Sequence, residues 1–136
     1  MRTHRRLALA AAAACLSNAA FAAANPMSVH VLDQQTGLPS EGVMVVLERR
    51  DDAGWQTIGQ ARTDGDGRIT ALYPADEPLR NADYRVVFRT GEWYERAHRQ
   101  SFYPEIQVTI RVDGSVPHYH VPLLLSPYGY TTYRGS

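Results

Sequence analysis

The sequence predicts an all-β domain, a sandwich or barrel of about eight short strands with one short helix. Two observations carry this: apolar residues alternate with period 2 in short runs, and turn signals separate the runs. The first strand is Met27 to Asp33, with Val29 and Val31 on one face and Ser28, His30 and Leu32 on the other. Gln34 to Pro39 reads as a turn and Gly42 to Glu48 as the second strand. Asp51 to Gly54 is a tight turn into a third strand, Trp55 to Arg62. Asp64 to Gly67 is a turn into Arg68 to Tyr73, and Pro74 to Asn81 is a loop. Asp83 to Thr90 is the clearest strand, and Glu92 to Arg99 is polar enough to take the one helix. Ile106 to Val112 is a strand, with Asp113-Gly114 expected as a hairpin turn. His118 to Leu125 and Tyr130 to Arg134 complete the set.

The first residues are expected to lie outside this domain. Arg2, Arg5 and Arg6 precede an apolar, Ala-rich stretch from Leu7 to Leu16, and Ala20-Phe21-Ala22 has the small-x-small form of a cleavage site. That order is the order of a secretory signal peptide, residues 1–22, with cleavage as late as residue 24 also compatible. The apolar run is too short to span a bilayer. Ala12 to Cys15 is a weak lipoprotein box that lies early for one. The domain proper is then 27–136, exported, and periplasmic in a Gram-negative source. Cleavage would remove Cys15, the only cysteine, and with it any disulfide, thiol nucleophile or thiolate ligand. It would also leave eleven arginines, no lysine and fourteen acids, a net charge near −3. A mildly acidic surface argues against nucleic acid as a partner. One domain of this size can build a core, and oligomerisation would help it.

Few side chains are placed to do chemistry. His118 and His120 stand two apart on an expected strand, so they share a face, roughly 7 Å apart at the backbone. Two imidazoles at that spacing can bind zinc if a third ligand such as His30 joins them. They can equally supply a general base without metal, or simply face solvent. Arg68 opens a strand after the Asp64-Gly-Asp-Gly67 turn; it is either a solvated strand end or a guanidinium that holds an amide or oxyanion. Asp64-x-Asp66-Gly67 resembles a fragment of a calcium loop but fails the template, because Arg68 and Ala75 fall where ligands belong. Arg49-Arg50 beside Asp51-Asp52 reads as solvated charge, and Trp93 and Tyr94 as packing residues. Tyr133-Arg-Gly-Ser136 brings a phenol, a guanidinium and a hydroxyl to a segment following the two histidines, which suggests one wall of a site. The sequence contains no Gly-x-Ser-x-Gly elbow, no His-Glu-x-x-His and no phosphate-cradling loop.

Three segments together resemble the transthyretin-related 5-hydroxyisourate hydrolase family: Ser28 to Gly37, Thr63 to Ile69, and His118 to Ser126 running on to Tyr133-Arg-Gly-Ser136. The likeness spans the whole domain, and the Tyr-Arg-Gly-Ser segment separates the enzymes from the hormone carrier transthyretin. The resemblance implies a transthyretin-like two-sheet β-sandwich assembled as a homotetramer, with sites where two dimers face each other. It implies hydrolysis of 5-hydroxyisourate in urate degradation, without metal or other cofactor. Its catalytic pattern falls on His30, Arg68, His120 and Ser136, and its substrate contacts on His30, Arg68, Tyr133 and Arg134. On this pattern His30 and His120 activate water as a hydrogen-bonded pair, Arg68 clamps the planar substrate, and Ser136 orients a histidine or the water. Two other functions stay open to the residues: a non-catalytic periplasmic module binding a small planar ligand, and a metal-dependent hydrolase using His30, His118 and His120.

Overall fold

The computed structural model describes residues 24–136, and the expected signal segment, 1–22, lies outside them. Nine strands and one helix follow in order: β1 (Met27–Asp33), β2 (Leu38–Pro39), β3 (Met44–Asp51), β4 (Gly54–Arg62), β5 (Arg68–Ile69), β6 (Ala82–Phe88), α1 (Thr90–Arg96), β7 (Ile106–Val112), β8 (Tyr119–Ser126) and β9 (Gly129–Thr132). One sheet is ordered β2-β1-β8-β9 with β5 also on β1; the other is β4-β3-β6-β7. The expected two-layer sandwich is what forms. Its core is the facing set of alternate residues, including Val29 and Val31 of β1, Val45 and Leu47 of β3, Val86 and Phe88 of β6, and Val121 and Leu123 of β8. Burying a fully covered aliphatic or aromatic side chain is worth about 1.5–3 kcal/mol, so this period-2 stripe fixes which face of each strand turns inward.

Three local expectations change. Leu38–Pro39 is a short strand inside the expected turn, because β1 has a free edge there and takes Pro39 opposite Leu32. The strand expected from Arg68 to Tyr73 stops at Ile69; Leu72 and Tyr73 are buried as irregular chain instead. Asp113-Gly114 is not a hairpin turn. β7 pairs only with β6 and β8 pairs with β1 and β9, so the segment carries the chain from one sheet to the other. Gly114 has φ 77°, and Asp113 accepts hydrogen bonds from the Ser115 amide at 3.0 Å and the Tyr119 hydroxyl at 3.1 Å. Ser115, through its side chain and then its amide, and next Tyr119 hold the Asp113 carboxyl down at about 2. The turn chemistry is real, but it serves a crossover.

The pairing that matters most is β1 with β8. It is parallel over all seven residues of β1, from Met27 opposite Tyr119 to Asp33 opposite Leu125. β2 and β5 share the other edge of β1, with His30 opposite Arg68. The helix begins two residues earlier than expected, and Trp93 and Tyr94 pack as expected, Tyr94 being buried. Arg99, just beyond it, reaches across to the buried Asp33 at the end of β1, Nη1 to Oδ2 2.9 Å. Arg49 is not merely solvated: it pairs with Glu77 at 3.0 Å.

Candidate active site

Strand alternation places the site. With Val29 and Val31 committed to the core, Ser28 and His30 turn to the outer face of the sheet. Cross-strand partners share a face. The register sets His120 beside Ser28 and Arg68 beside His30, so four polar side chains from three strands converge on one outer surface. Arg68 is delivered there by the Asp64–Gly67 turn. The Asp64 carboxylate accepts from the amides of Asp66 and Arg68, both at 2.9 Å, and the Gly67 carbonyl accepts from the Val31 amide at 2.8 Å. Gly67 has φ 71°, and a Cβ there would lie 2.5 Å from the Val31 carbonyl oxygen, so glycine is required. The resemblance to a calcium loop thus resolves into a side-chain-capped turn whose product is the placement of Arg68.

His120 and His118 do share a side, as their spacing predicts; their rings stack with centroids 6.5 Å apart and an interplanar angle of 19°. Between them lies a hydroxyl that sequence reasoning missed. Ser28 Oγ is 2.7 Å from His120 Nδ1 and 2.8 Å from His118 Nε2. The other nitrogen of His118, Nδ1, is 2.8 Å from the Asn25 carbonyl oxygen. Both ring nitrogens of His118 are therefore engaged, which removes it as the third ligand of a His30–His118–His120 metal site. Among the described residues no group of three or more His, Cys, Asp or Glu is arranged to hold a metal.

The expected hydrogen-bonded pair of His30 and His120 takes a different form. The two are diagonal neighbours across β1 and β8, about 7–8 Å apart at the backbone, and the partner of His120 Nδ1 is Ser28. The histidines influence each other by charge instead. Burial, then the Arg68 cation, then His118 and His30 hold His120 below its ordinary 6.5. Burial and then Arg68 also hold His30 below 6.5, against a weaker upward pull from the Asp66 backbone and the carboxylates of Asp64 and Asp66. Both shifts favour the neutral imidazole, the form a general base needs.

The last residues run back along β8. The Gly135 amide donates to the His120 carbonyl at 3.0 Å, continuing the β9 register. This brings Tyr133 opposite Pro122, on the histidine face, where its ring is 57 % exposed. Alternation turns Arg134 the other way, and its guanidinium sits 5.9 Å from the Tyr119 ring centroid. There it lines, together with His120 and Tyr133, a cavity of about 350 Å³ at the open edge between the sheets, bounded by Val108 and Ile110 of β7. The structure thus joins His30, Arg68, His120 and Tyr133 on one face, and Arg134 meets His120 and Tyr133 at the edge cavity. Ser136 follows Gly135 and is exposed; the hydroxyl on His120 is that of Ser28.

A family model described as HIUase/Transthyretin family matches residues 27–135. The chain is 50% identical over 129 residues to the 5-hydroxyisourate hydrolase of Salmonella typhi, covering 95% of this chain and 94% of that one. It is 35% identical over 114 residues to that of Mus musculus, covering 82% and 96%. Among solved structures, the 5-hydroxyisourate hydrolase of Klebsiella pneumoniae superposes with a TM-score of 0.71 at 36% identity, covering 81% of this chain and 98% of that one. The transthyretin of Sparus aurata superposes with a TM-score of 0.75 at 28% identity, covering 81% and 96%. The backbone therefore does not separate the two kinds of relative, and the side chains on the histidine face must. The shared sandwich, the family model spanning residues 27–135 and the near-complete coverage lead to one assignment: this chain belongs to the HIUase/Transthyretin family.

Proposed function

We propose that the protein hydrolyses 5-hydroxyisourate to 2-oxo-4-hydroxy-4-carboxy-5-ureidoimidazoline, a step of urate degradation. The observation that carries this reading is the convergence of two histidines held towards their neutral form and an exposed arginine on one sheet face, in a chain half identical to a hydrolase of this substrate. Opening a cyclic amide-type bond requires a base for water, a clamp for the substrate and charge to meet the developing oxyanion. His120, with Nδ1 held by Ser28, presents Nε2 as the base. His30 flanks it, and Arg68 beside His30 binds the planar substrate and its growing negative charge. Tyr133 contacts the ring, and Ser136 orients the water. These are groups of the chain itself, and no metal takes part.

The site is open to solvent beside the edge cavity: Arg68 is exposed and Tyr133 more than half so. A second copy laid over this face would complete it, which supports a homotetramer with sites between dimers. The Arg2–Ala22 segment supports export to the periplasm. A non-catalytic binding module is the weaker reading. The transthyretin relative crystallised with thyroxine is 28% identical, well below the hydrolases of Salmonella.

The decisive experiment follows the absorbance decay of freshly generated 5-hydroxyisourate against its spontaneous rate. The wild type should accelerate it, with activity surviving exhaustive EDTA treatment. His120→Ala and His30→Ala should each lose at least about a hundredfold, the lower end of the worth of a general base. No acceleration by the wild type, or near-full activity in both folded variants, would defeat the reading.

A further inference from the structure

We infer that Asn25, Ser28 and His118 form a proton-ordered wire that fixes the tautomer of His120 and carries charge away from it during turnover. The inference rests on His120 being the base, and adds three positioning residues to it.

The order of the protons follows from the atoms. A carbonyl oxygen only accepts. At 2.8 Å from the Asn25 oxygen, His118 Nδ1 must therefore carry a hydrogen. In neutral His118, Nε2 is then a bare acceptor, so Ser28 donates its single hydroxyl proton there, at 2.8 Å. With that proton committed, Ser28 Oγ can only accept from His120, so His120 Nδ1 holds a hydrogen at 2.7 Å. The remaining nitrogen of neutral His120, Nε2, is left with its lone pair outward. A base in the required form is thus specified from a backbone carbonyl three side chains away. That carbonyl is well anchored: Asn25 Nδ2 donates to the Tyr73 carbonyl at 2.8 Å, and its Oδ1 accepts from the Tyr73 amide at 3.2 Å and the Met27 amide at 3.1 Å.

The same chain can move charge. When Nε2 of His120 takes a proton from water, the Nδ1 proton passes to Ser28 Oγ and the Ser28 proton passes to His118 Nε2. The positive charge then resides on His118, while His120 is neutral with its new proton on Nε2, ready for the leaving nitrogen. Delivery of that proton reverses both transfers, and no proton is gained or lost beyond the water split by the reaction. The direction is favourable because the two ends differ. His120 is partly buried and faces Arg68 from β5 and His30 from β1, with Arg111, Asp113 and Arg134 around the edge cavity its residue also lines. His118 is exposed and lines an open hollow with Glu77. Conversely, an extra proton delivered to His118 from solvent reverses both hydrogen bonds and puts a hydrogen on His120 Nε2, which silences the base.

The test combines ring-nitrogen NMR of 15N-histidine-labelled protein with kinetics. In the wild type at neutral pH, His120 should show a protonated Nδ1 and a bare Nε2; the reverse pattern overturns the wire, whether or not any variant folds. Ser28→Ala and His118→Ala should give mixed His120 tautomers and lower kcat up to about a hundredfold with KM little changed, within the range a base contributes. Ser28→Thr, which restores the hydroxyl, should recover most of kcat. His118→Ala should also move the acid limb of kcat/KM to lower pH, because the wire loses one of its two proton acceptors. Unchanged kcat and an unmoved limb in both alanine variants would overturn the relay. Full activity of His120→Ala would instead defeat the base assignment, a result the tautomer measurement does not share.

Discussion

Gly135→Ala should separate activity from stability more cleanly than any substitution of a charged group. A Cβ at Gly135 would lie 2.4 Å from His120 Cδ2, 3.2 Å from His120 Cγ and 2.9 Å from Pro122 Cγ. Carbon atoms rest about 3.5–4.0 Å apart, so relief requires a shift of roughly 1 Å. Pro122 is a ring fixed to its strand, whereas His120 can rotate and the tail can lift. If the imidazole moves by that distance, its 2.7 Å hydrogen bond to Ser28 is broken or badly bent. If the tail lifts, the 3.0 Å bond from Gly135 to the His120 carbonyl is lost and Tyr133 leaves the face. A misplacement of about 1 Å can reduce turnover by about a hundredfold, while one hydrogen bond at an edge contributes only about 0.5–1.5 kcal/mol to stability. The expected result is therefore a kcat on 5-hydroxyisourate about a hundredfold down, with a melting temperature lowered by only a few degrees for a domain of this size. Gly129→Ala is the control, because a Cβ there meets nothing within 4 Å. Full activity in Gly135→Ala would show that the tail does not brace His120, and an equal loss in Gly129→Ala would show that the assay reads something else.

Other perturbations test the surrounding electrostatics and backbone. Arg68 pushes both His30 and His120 downward; Arg68→Gln removes a cation that opposes imidazolium, so the acid limb of kcat/KM should move to higher pH while KM rises, both read from a pH series of progress curves. Arg99→Ala should strand the buried Asp33 carboxylate, destabilising the domain by about 2–3 kcal/mol in urea melts, somewhat below the full loss of a buried pair because Arg99 is 27% exposed. Burial pushes Asp33 up, but the Arg99 and Gln35 hydrogen bonds prevail and hold it below its ordinary 3.8. Its stabilisation is thus complete above 3.8 and fades as pH falls through the lower folded value, so the variant's acid unfolding should begin at higher pH. Gly67→Ala forces a side chain into φ 71° and against the Val31 carbonyl; a loss of about 1–3 kcal/mol in thermal melts is expected, with reduced activity through Arg68.

Most of the sandwich was legible because period-2 alternation reports directly on which face is buried. Long-range pairing was not. Asp113-Gly114 carries a good turn signal, but such a signal describes two residues and cannot say whether the flanking strands share a sheet. The short β2 appears only because β1 has an edge to fill. At the site, His30, Arg68 and His120 stood out by residue type and resemblance, and the parity of His118 and His120 was readable from spacing alone. Ser28 was not, since a strand serine has no distinguishing chemistry until a register places it between two imidazoles. Its visible clue was parity: it lies two residues from His30 on the same face. Arg134 was marked by the terminal motif alone; consecutive residues of an extended chain alternate sides, yet Arg134, Tyr133 and His120 all line the edge cavity.

The parallel pairing of β1 with β8 has a consequence for how the protein is made. The Ser28–His120 contact joins residues 92 apart in sequence. Closing so long a loop is entropically slow, and proteins dominated by such contacts fold on the millisecond-to-second scale. No partly synthesised or nicked chain lacking β8 can hold an ordered base, however well the β3–β4 and β6–β7 ladders have formed. Catalytic competence therefore arrives in the same cooperative event that closes the sheet, and activity recovery during refolding becomes a clock for that final closure.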